Sequence, residues 1–262
     1  MNNNGEEIIS LFWIGTFVML FLALGLIVLV VSYQRHFFRM KREEAENMLK
    51  ASLESEKNER ARIAADLHDG VSGDLSAIRN YLNILSKKET SPANIEMFND
   101  IKESIENALQ NTRAVSHNLL PPLLETEGLV AALKNYLDGV GTKSGIDFVI
   151  EGDVKTDLAP LESYQLFRVF QEFTTNMIKY GNVSLVQLKF SRDMDFLNID
   201  VQDNGNSFNF KENLAKPNAS GLKNISSRLH VIGAELTQQP AETGNHFTIT
   251  LKYTQDVKNS NS

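Results

Sequence analysis

A chain of 262 residues, 42% of them hydrophobic, has room for one large or two small domains with a substantial core. The absence of cysteine excludes disulfides, thiolate catalysis and cysteine-based zinc sites. A net charge of -7 argues against direct nucleic-acid binding, which needs a basic surface to neutralise phosphates.

Leu11 to Tyr33 carries no charged residue. At about 1.5 Å per residue it reaches roughly 35 Å, enough to cross the hydrocarbon core of a bilayer, so 11–33 reads as one transmembrane helix in contact with membrane lipid. A cleaved signal peptide would want a basic start and a shorter apolar region. Here Glu6 and Glu7 precede the apolar run, while Arg35, His36, Arg39, Lys41 and Arg42 follow it. The positive-inside rule then puts the rest of the chain in the cytoplasm, with Trp13 and Tyr33 as interface anchors. Residues 1–10 form a short extracytoplasmic N-terminus, too short to fold as a sensor. Residues 34–56 are charged and helix-favouring and read as a helical linker with a thin apolar stripe.

From about Lys57 to Lys88 apolar residues recur at Ile63, Leu67, Val71, Leu75, Ile78, Leu82 and Leu85, the spacing of an amphipathic helix. His68 and Asp69 lie at the edge of that seam. Alone, such a pair reads as a solvated helix histidine; in company with other motifs, His68 is a candidate nucleophile. Ser91 as N-cap and Pro92 at the first helical position open a second helix, which Pro121 and Pro122 stop. Residues 57–120 thus form a helical hairpin. Two helices bury little surface, so pairing of two hairpins into a four-helix bundle, and hence a homodimer, is expected.

Residues 121–254 read as an α+β layered domain: helices near 127–140, 160–180 and 222–232, with strands near 146–151, 183–190, 196–201, 235–239 and 246–252. The tail 255–262 is polar and reads as disordered. On the 160–180 helix, Glu172, Asn176 and Lys179 make a polar stripe that either meets water or offers oxygen ligands to magnesium and a cation to phosphate. Asp203, Asn204 and Gly205 place a carboxylate and a tight turn after a strand. Gly221 and Leu222 open a helix whose free N–H groups suit an anion.

In this order the motifs resemble a two-component sensor histidine kinase of the class that pairs with NarL/LuxR-type response regulators, across about Glu59 to Tyr253. The phosphoacceptor box is carried by Glu59, Arg60, Arg62, Ile63, Ala64, Asp66, Leu67, His68, Asp69 and Gly70. Leu120, Pro121, Leu124, Gly128, Leu129, Ala132 and Leu133 match the start of the catalytic domain. Gln171, Glu172, Asn176, Lys179, Tyr180 and Gly181 match the N box, Asp203 to Gly205 the G1 box, and Gly221, Leu222, Asn224, Ile225 and Arg228 the G2 box.

The resemblance implies a dimerisation hairpin followed by an α/β-sandwich ATP-binding domain of the Bergerat type. It implies a bacterial, single-pass inner-membrane homodimer that autophosphorylates His68 from Mg-ATP and passes the phosphoryl group to an aspartate of a regulator. Asp69 would orient or accept the imidazole proton, Asp203 receive the adenine amino group, and Asn176 hold Mg2+. Glu172, Lys179 and Tyr180 complete the nucleotide wall, while Gly205 and Gly221 flank a lid with Leu222 beside it. The family pattern has glycine where this chain has Ser207 and Ala219, and often glutamine where it has Gly73. Those departures motivate an alternative: a catalytically weakened ATP-binding scaffold that regulates a partner kinase. A membrane-tethered ATPase without phosphotransfer is a further rival, which leaves the His68 box unexplained.

Overall fold

The computed structural model describes residues 3–152, 158–193 and 195–252, with side chains from Phe12 onward. Residues 1–2 of the expected N-terminal segment and the tail 255–262 lie outside the described residues. The chain divides into two units, Met1–Ala51 and Ser52–Ser262.

Helix α1 spans Asn3–Asp66. In the first unit Phe12 to Val31 presents Phe, Leu, Ile and Val side chains outward, and the helix is long and apolar enough to cross a membrane.

In the second unit, α1 ends in a π turn, Leu67–Val71, before α2 (Ser72–Ser86). The expected continuous helix over 57–88 is therefore interrupted by a wider turn at His68. Helix α3, Pro92–Leu119, returns along α2 and completes the hairpin. Ser91 occupies its N-cap position, but its side chain makes no cap bond; Glu89 accepts from the N–H groups of Thr90 and Ser91 instead (2.8 and 2.9 Å). Val71, Ile78, Tyr81, Ile84, Leu85, Ile95, Met97 and Ile101 are exposed on the hairpin of this single chain.

Beyond the hairpin come α4 (Pro122–Thr126), α5 (Leu129–Ser144), β1 (Asp147–Glu151) and α6 (Pro160–Asn176). A second π turn, Met177–Gly181, follows α6. Then come β2 (Leu185–Asp193), β3 (Phe196–Asp203), α7 (Phe210–Leu214), α8 (Ser220–Val231), β4 (Glu235–Gln239) and β5 (Asn245–Lys252). The five strands form one mixed sheet in the order β1-β2-β3-β5-β4, with only the β1–β2 pair parallel.

Period-two alternation decides which sheet face meets the helices. Val186, Leu188 and Phe190 on β2, Leu197, Ile199 and Val201 on β3, and Phe247, Ile249 and Leu251 on β5 are buried. They share one core with Leu133 and Leu137 of α5, Phe167, Phe170 and Phe173 of α6, and Ile225 and Leu229 of α8. The opposite face is polar: Asp200 accepts from Thr248 (2.8 Å) and pairs with His246 (3.1 Å). The result is an α/β sandwich, as expected for 121–254, with α4 and α7 as short helices that no periodicity announced.

Candidate functional site

The inward series on β3 and β5 runs on past its last apolar members, from Val201 to Asp203 and from Phe247 to Asn245. Asp203 and Asn245 are paired opposite each other in the register, so two polar side chains end up on the core side of the sheet, both buried. Asn245 donates its side-chain amide to Asp203 Oδ1 and Oδ2 (3.2 Å each) and to the Asn206 carbonyl (3.0 Å). Its Oδ1 accepts from the Phe208 N–H at 3.0 Å. Asp203 Oδ1 also accepts from the Gly205 N–H at 2.9 Å.

Above this pair opens a cavity of about 420 Å³, with α6 and its π turn on one side and the segment from Asn206 to Leu222 on the other. Seven of the eight candidate nucleotide residues line it: Glu172, Asn176, Lys179, Tyr180, Asp203, Gly221 and Leu222. The eighth, Gly205, stands behind the wall and serves it sterically. A Cβ there would come within 2.4 Å of the Gly181 carbonyl and 2.5 Å of Val183 Cγ2. A Cβ on Gly221 would project to 2.3 Å from Glu172 Oε1 and 3.2 Å from Asn176 Nδ2, into the polar wall itself. Beneath the cavity, Phe247 packs against Phe173, Phe208 and Phe210 with ring centroids 5.5 to 5.9 Å apart.

Ser207 and Ala219, which stand where glycines were expected, are accommodated. Neither adopts a positive φ, since Asn182 is the one non-glycine residue that does so among the described residues. The Ser207 hydroxyl donates to the Gly244 carbonyl at 2.7 Å, and Ala219 serves as the N-cap residue of α8.

The cavity's chemistry fits a magnesium nucleotide. The Asn176 side-chain nitrogen is buried without a hydrogen-bond partner, so its amide is held in place by packing and not by a competing bond. No cluster of three or more His, Asp or Glu side chains able to hold a metal unaided exists among the described residues. The Asn176 amide oxygen and the neighbouring Glu172 carboxylate are hard oxygen donors that would suit Mg2+ bound together with phosphate.

The second element of the site lies on the first π turn. His68 Nδ1 stands 2.9 Å from Asp69 Oδ1, and both side chains are well exposed, 66% and 82%. Adjacent residues on a regular α-helix diverge by about 100°, and this contact is made where the backbone is wound as a π turn. A carboxylate acceptor at this distance suits the tautomer of a neutral imidazole that carries its proton on Nδ1 and leaves the Nε2 lone pair free for a reaction partner.

The chain therefore combines a polar-floored cavity in an α/β sandwich with a hairpin that exposes a carboxylate-oriented imidazole. Residues 59–124 match the family HisKA_3, described as histidine kinase. The chain is 28% identical over 217 residues to the sensor histidine kinase MctS of Rhizobium johnstonii, covering 79% of this chain and 47% of that protein. It is 28% identical over 244 residues to an uncharacterized sensor-like histidine kinase of Chloroflexus aurantiacus, covering 88% of this chain and 40% of the relative. The chain thus spans less than half the length of these two relatives. Among solved structures, the histidine kinase domain of the Erythrobacter litoralis EL346 blue-light activated histidine kinase aligns with a TM-score of 0.45 at 16% identity, covering 68% of this chain and 94% of that one. Residues 59–124 are thus a HisKA_3-type segment, and the two relatives named are similar to the chain over most of its length.

Proposed function

We propose that the protein is a membrane-anchored, homodimeric histidine kinase that phosphorylates His68 from Mg-ATP and passes the phosphoryl group to an aspartate of a NarL/LuxR-type response regulator. The observation that carries this reading is the joint presence, in one chain, of the Asp69-oriented His68 and the cavity floored by Asp203 and Asn245. The ATP-binding layer is read as Bergerat-type on the strength of its N, G1 and G2 boxes.

Adenine enters with its amino group toward the Asp203 carboxylate, which Asn245 and the Gly205 N–H hold in place. The triphosphate lies along Glu172, Asn176 and Lys179; the Asn176 side-chain oxygen would hold Mg2+, which would supply charge neutralisation when bound. His68 Nε2 forms a bond to the γ-phosphorus while the bond from that phosphorus to the β–γ bridging oxygen breaks, and ADP departs. The imidazole, cationic once Nε2 is phosphorylated, gives its Nδ1 proton to Asp69, leaving a neutral phosphoimidazole. The exposed apolar stripe of the hairpin supplies the surface for pairing two chains, and the run 12–31 supplies the membrane anchor.

The test is incubation of the full chain in detergent micelles with γ-labelled ATP and magnesium beside a His68→Ala variant. Acid-labile, alkali-stable label that disappears in the variant is expected. ATP binding without label would refute the kinase reading in favour of the scaffold.

A further inference from the structure

A second cleft, of about 920 Å³, opens beside α6, bounded by Arg60 of α1, the end of α3, the start of α4 and α5. Glu172 and Thr175 border both this cleft and the nucleotide cavity, but the rest of its lining is its own. Among the described residues, Arg60, His117, Lys143 and Arg168 are its basic members and Glu172 is its one acid. Leu123, Val140, Tyr136 and Phe167 give it an apolar wall, and the last two rings meet edge to face with centroids 5.5 Å apart.

Arg168 is the least satisfied cation in this lining. Its side chain is only 17% exposed. Yet of a guanidinium's five N–H donors it uses one, on the Gln171 side-chain oxygen, and its Nε is buried without an acceptor. Glu56 does not supply the missing partner: it accepts from Arg228 at 2.7 Å and Arg60 at 2.8 Å, and stands 3.9 Å from Arg168 Nη2. Arg60 likewise makes one side-chain hydrogen bond, from its Nε to Glu56. Burial, with the Arg60 and Arg228 guanidiniums nearby, pushes Arg168 down from its ordinary value, the mark of a cation short of counter-charge. Lys143, exposed on α5 and in no ion pair among the described residues, adds a further cation to the same cleft.

The lining also limits what kind of anion fits. Inorganic phosphate would fill a small part of the volume and leave the apolar wall wet, whereas a carboxylate carried on a ring or short alkyl body meets both surfaces. Paired guanidinium donors match a planar carboxylate.

We propose that this cleft is a binding site for a small organic carboxylate with an apolar body, the carboxylate held by Arg168 and Arg60 and the body laid against Tyr136, Phe167 and Val140. The site is separate from the nucleotide cavity and does not depend on the kinase reading.

The experiment is calorimetric titration of the full chain in detergent micelles with cinnamate, after subtraction of the heat of partition into protein-free micelles. A dissociation constant on the order of 0.1 mM is expected, weakened at least about tenfold in Arg168→Met and about threefold in Lys143→Glu. The neutral amide of cinnamate should bind at least about tenfold more weakly, and inorganic phosphate in roughly hundredfold excess should not displace the acid. A saturating non-hydrolysable Mg-ATP analogue should leave the cinnamate constant within about threefold. Absence of binding, equal affinity for the amide, displacement by phosphate or full competition with nucleotide each overturns the proposal. So does unchanged affinity in Arg168→Met or, should that variant not fold, in Lys143→Glu. Failure of the analogue to bind at all would count against the kinase reading alone, and the two variants would still decide the carboxylate site.

Discussion

Asn245→Ala is predicted to damage stability and nucleotide binding together, because one side chain satisfies three groups. Its amide hydrogens serve the Asp203 carboxylate and the Asn206 carbonyl, and its oxygen serves the Phe208 N–H. A hydrogen bond to a charged group contributes about 1.5–3 kcal/mol and each neutral one about 1 kcal/mol. The gross loss is therefore about 3.5–5 kcal/mol. Asp203 borders an open cavity, so water entering the vacated space recovers part of this, and a net cost of about 2–3 kcal/mol is expected. For a folded unit of this size that corresponds to a melting temperature lower by roughly 5–10 °C. Asp203, no longer fixed, should bind nucleotide at least about tenfold more weakly. The contrasting variant Asn245→Asp sets a second carboxylate against Asp203 and should recover stability as the pH falls from 8 to 5, because protonation of either acid relieves the repulsion. Differential scanning fluorimetry and titration with a fluorescent nucleotide read all three quantities. A melting temperature within 2 °C of the parent and unaltered affinity for Asn245→Ala would refute the assigned role.

Gly244→Ala and Gly221→Ala should separate fold from site. At Gly244 φ is +68° and a Cβ would collide with the Asp203 carbonyl at 1.8 Å, so a stability loss of about 3 kcal/mol or more is expected in urea unfolding. At Gly221 the obstructed atoms are side-chain ends, so unfolding should barely change while nucleotide affinity drops about tenfold. Asp69→Asn keeps an acceptor for Nδ1–H but cannot take its proton; labelling of His68 should slow by about 100-fold with nucleotide affinity intact, read by single-turnover label incorporation. Glu56 gives a pH signature. Burial raises its carboxyl, but hydrogen bonds from Arg228 and Arg60 outweigh this and hold it below its ordinary value of 4.5. The groups facing it are Arg60 and Lys57 on α1, Arg168 and Tyr164 on α6, and Arg228 on α8. A depressed carboxyl stabilises fully above its unfolded value and loses that contribution as pH falls through its folded one. The melting-temperature gap between the parent and Glu56→Gln should therefore be constant from pH 6 to 8 and close below about pH 4.5.

Helices and strands with a strong period were legible in the sequence, and β4 was expected over the residues it occupies. Two classes of feature were not. The π turns at Leu67–Val71 and Met177–Gly181 add one residue to a turn without altering the apolar stripe on either side, so the periodicity that announces a helix passes over them. Both fall at candidate site positions: the first carries His68, and the second follows Asn176 with Lys179 and Tyr180 on it. Helix α7 is only five residues long, too short for a period, although Asn209 accepting from the Glu212 N–H is a capping signal that could have located it.

Asn245 and Glu56 escaped for a different reason, which also explains why they matter. Neither belongs to a local motif, because each acts on a partner far along the chain: Asn245 across the β3–β5 register on Asp203, and Glu56 on α1 accepting from Arg228 on α8 at 2.7 Å. The inward alternation of β5 does point one step beyond Phe247 to residue 245, so its burial could have been anticipated once the strand was placed; its pairing with Asp203 needed the register. Glu56 lies on a segment whose charge reads as solvated, and only the approach of α6 and α8 turns one of many exposed glutamates into a tether. Local motifs mark the groups proposed to contact nucleotide and phosphate, whereas the residues that hold those groups in place are defined by tertiary contacts. Such contacts can change without any alteration of the motifs, and Glu56→Gln, which removes the ion pair to Arg228, is the substitution that tests whether positioning and chemistry are separable in this protein.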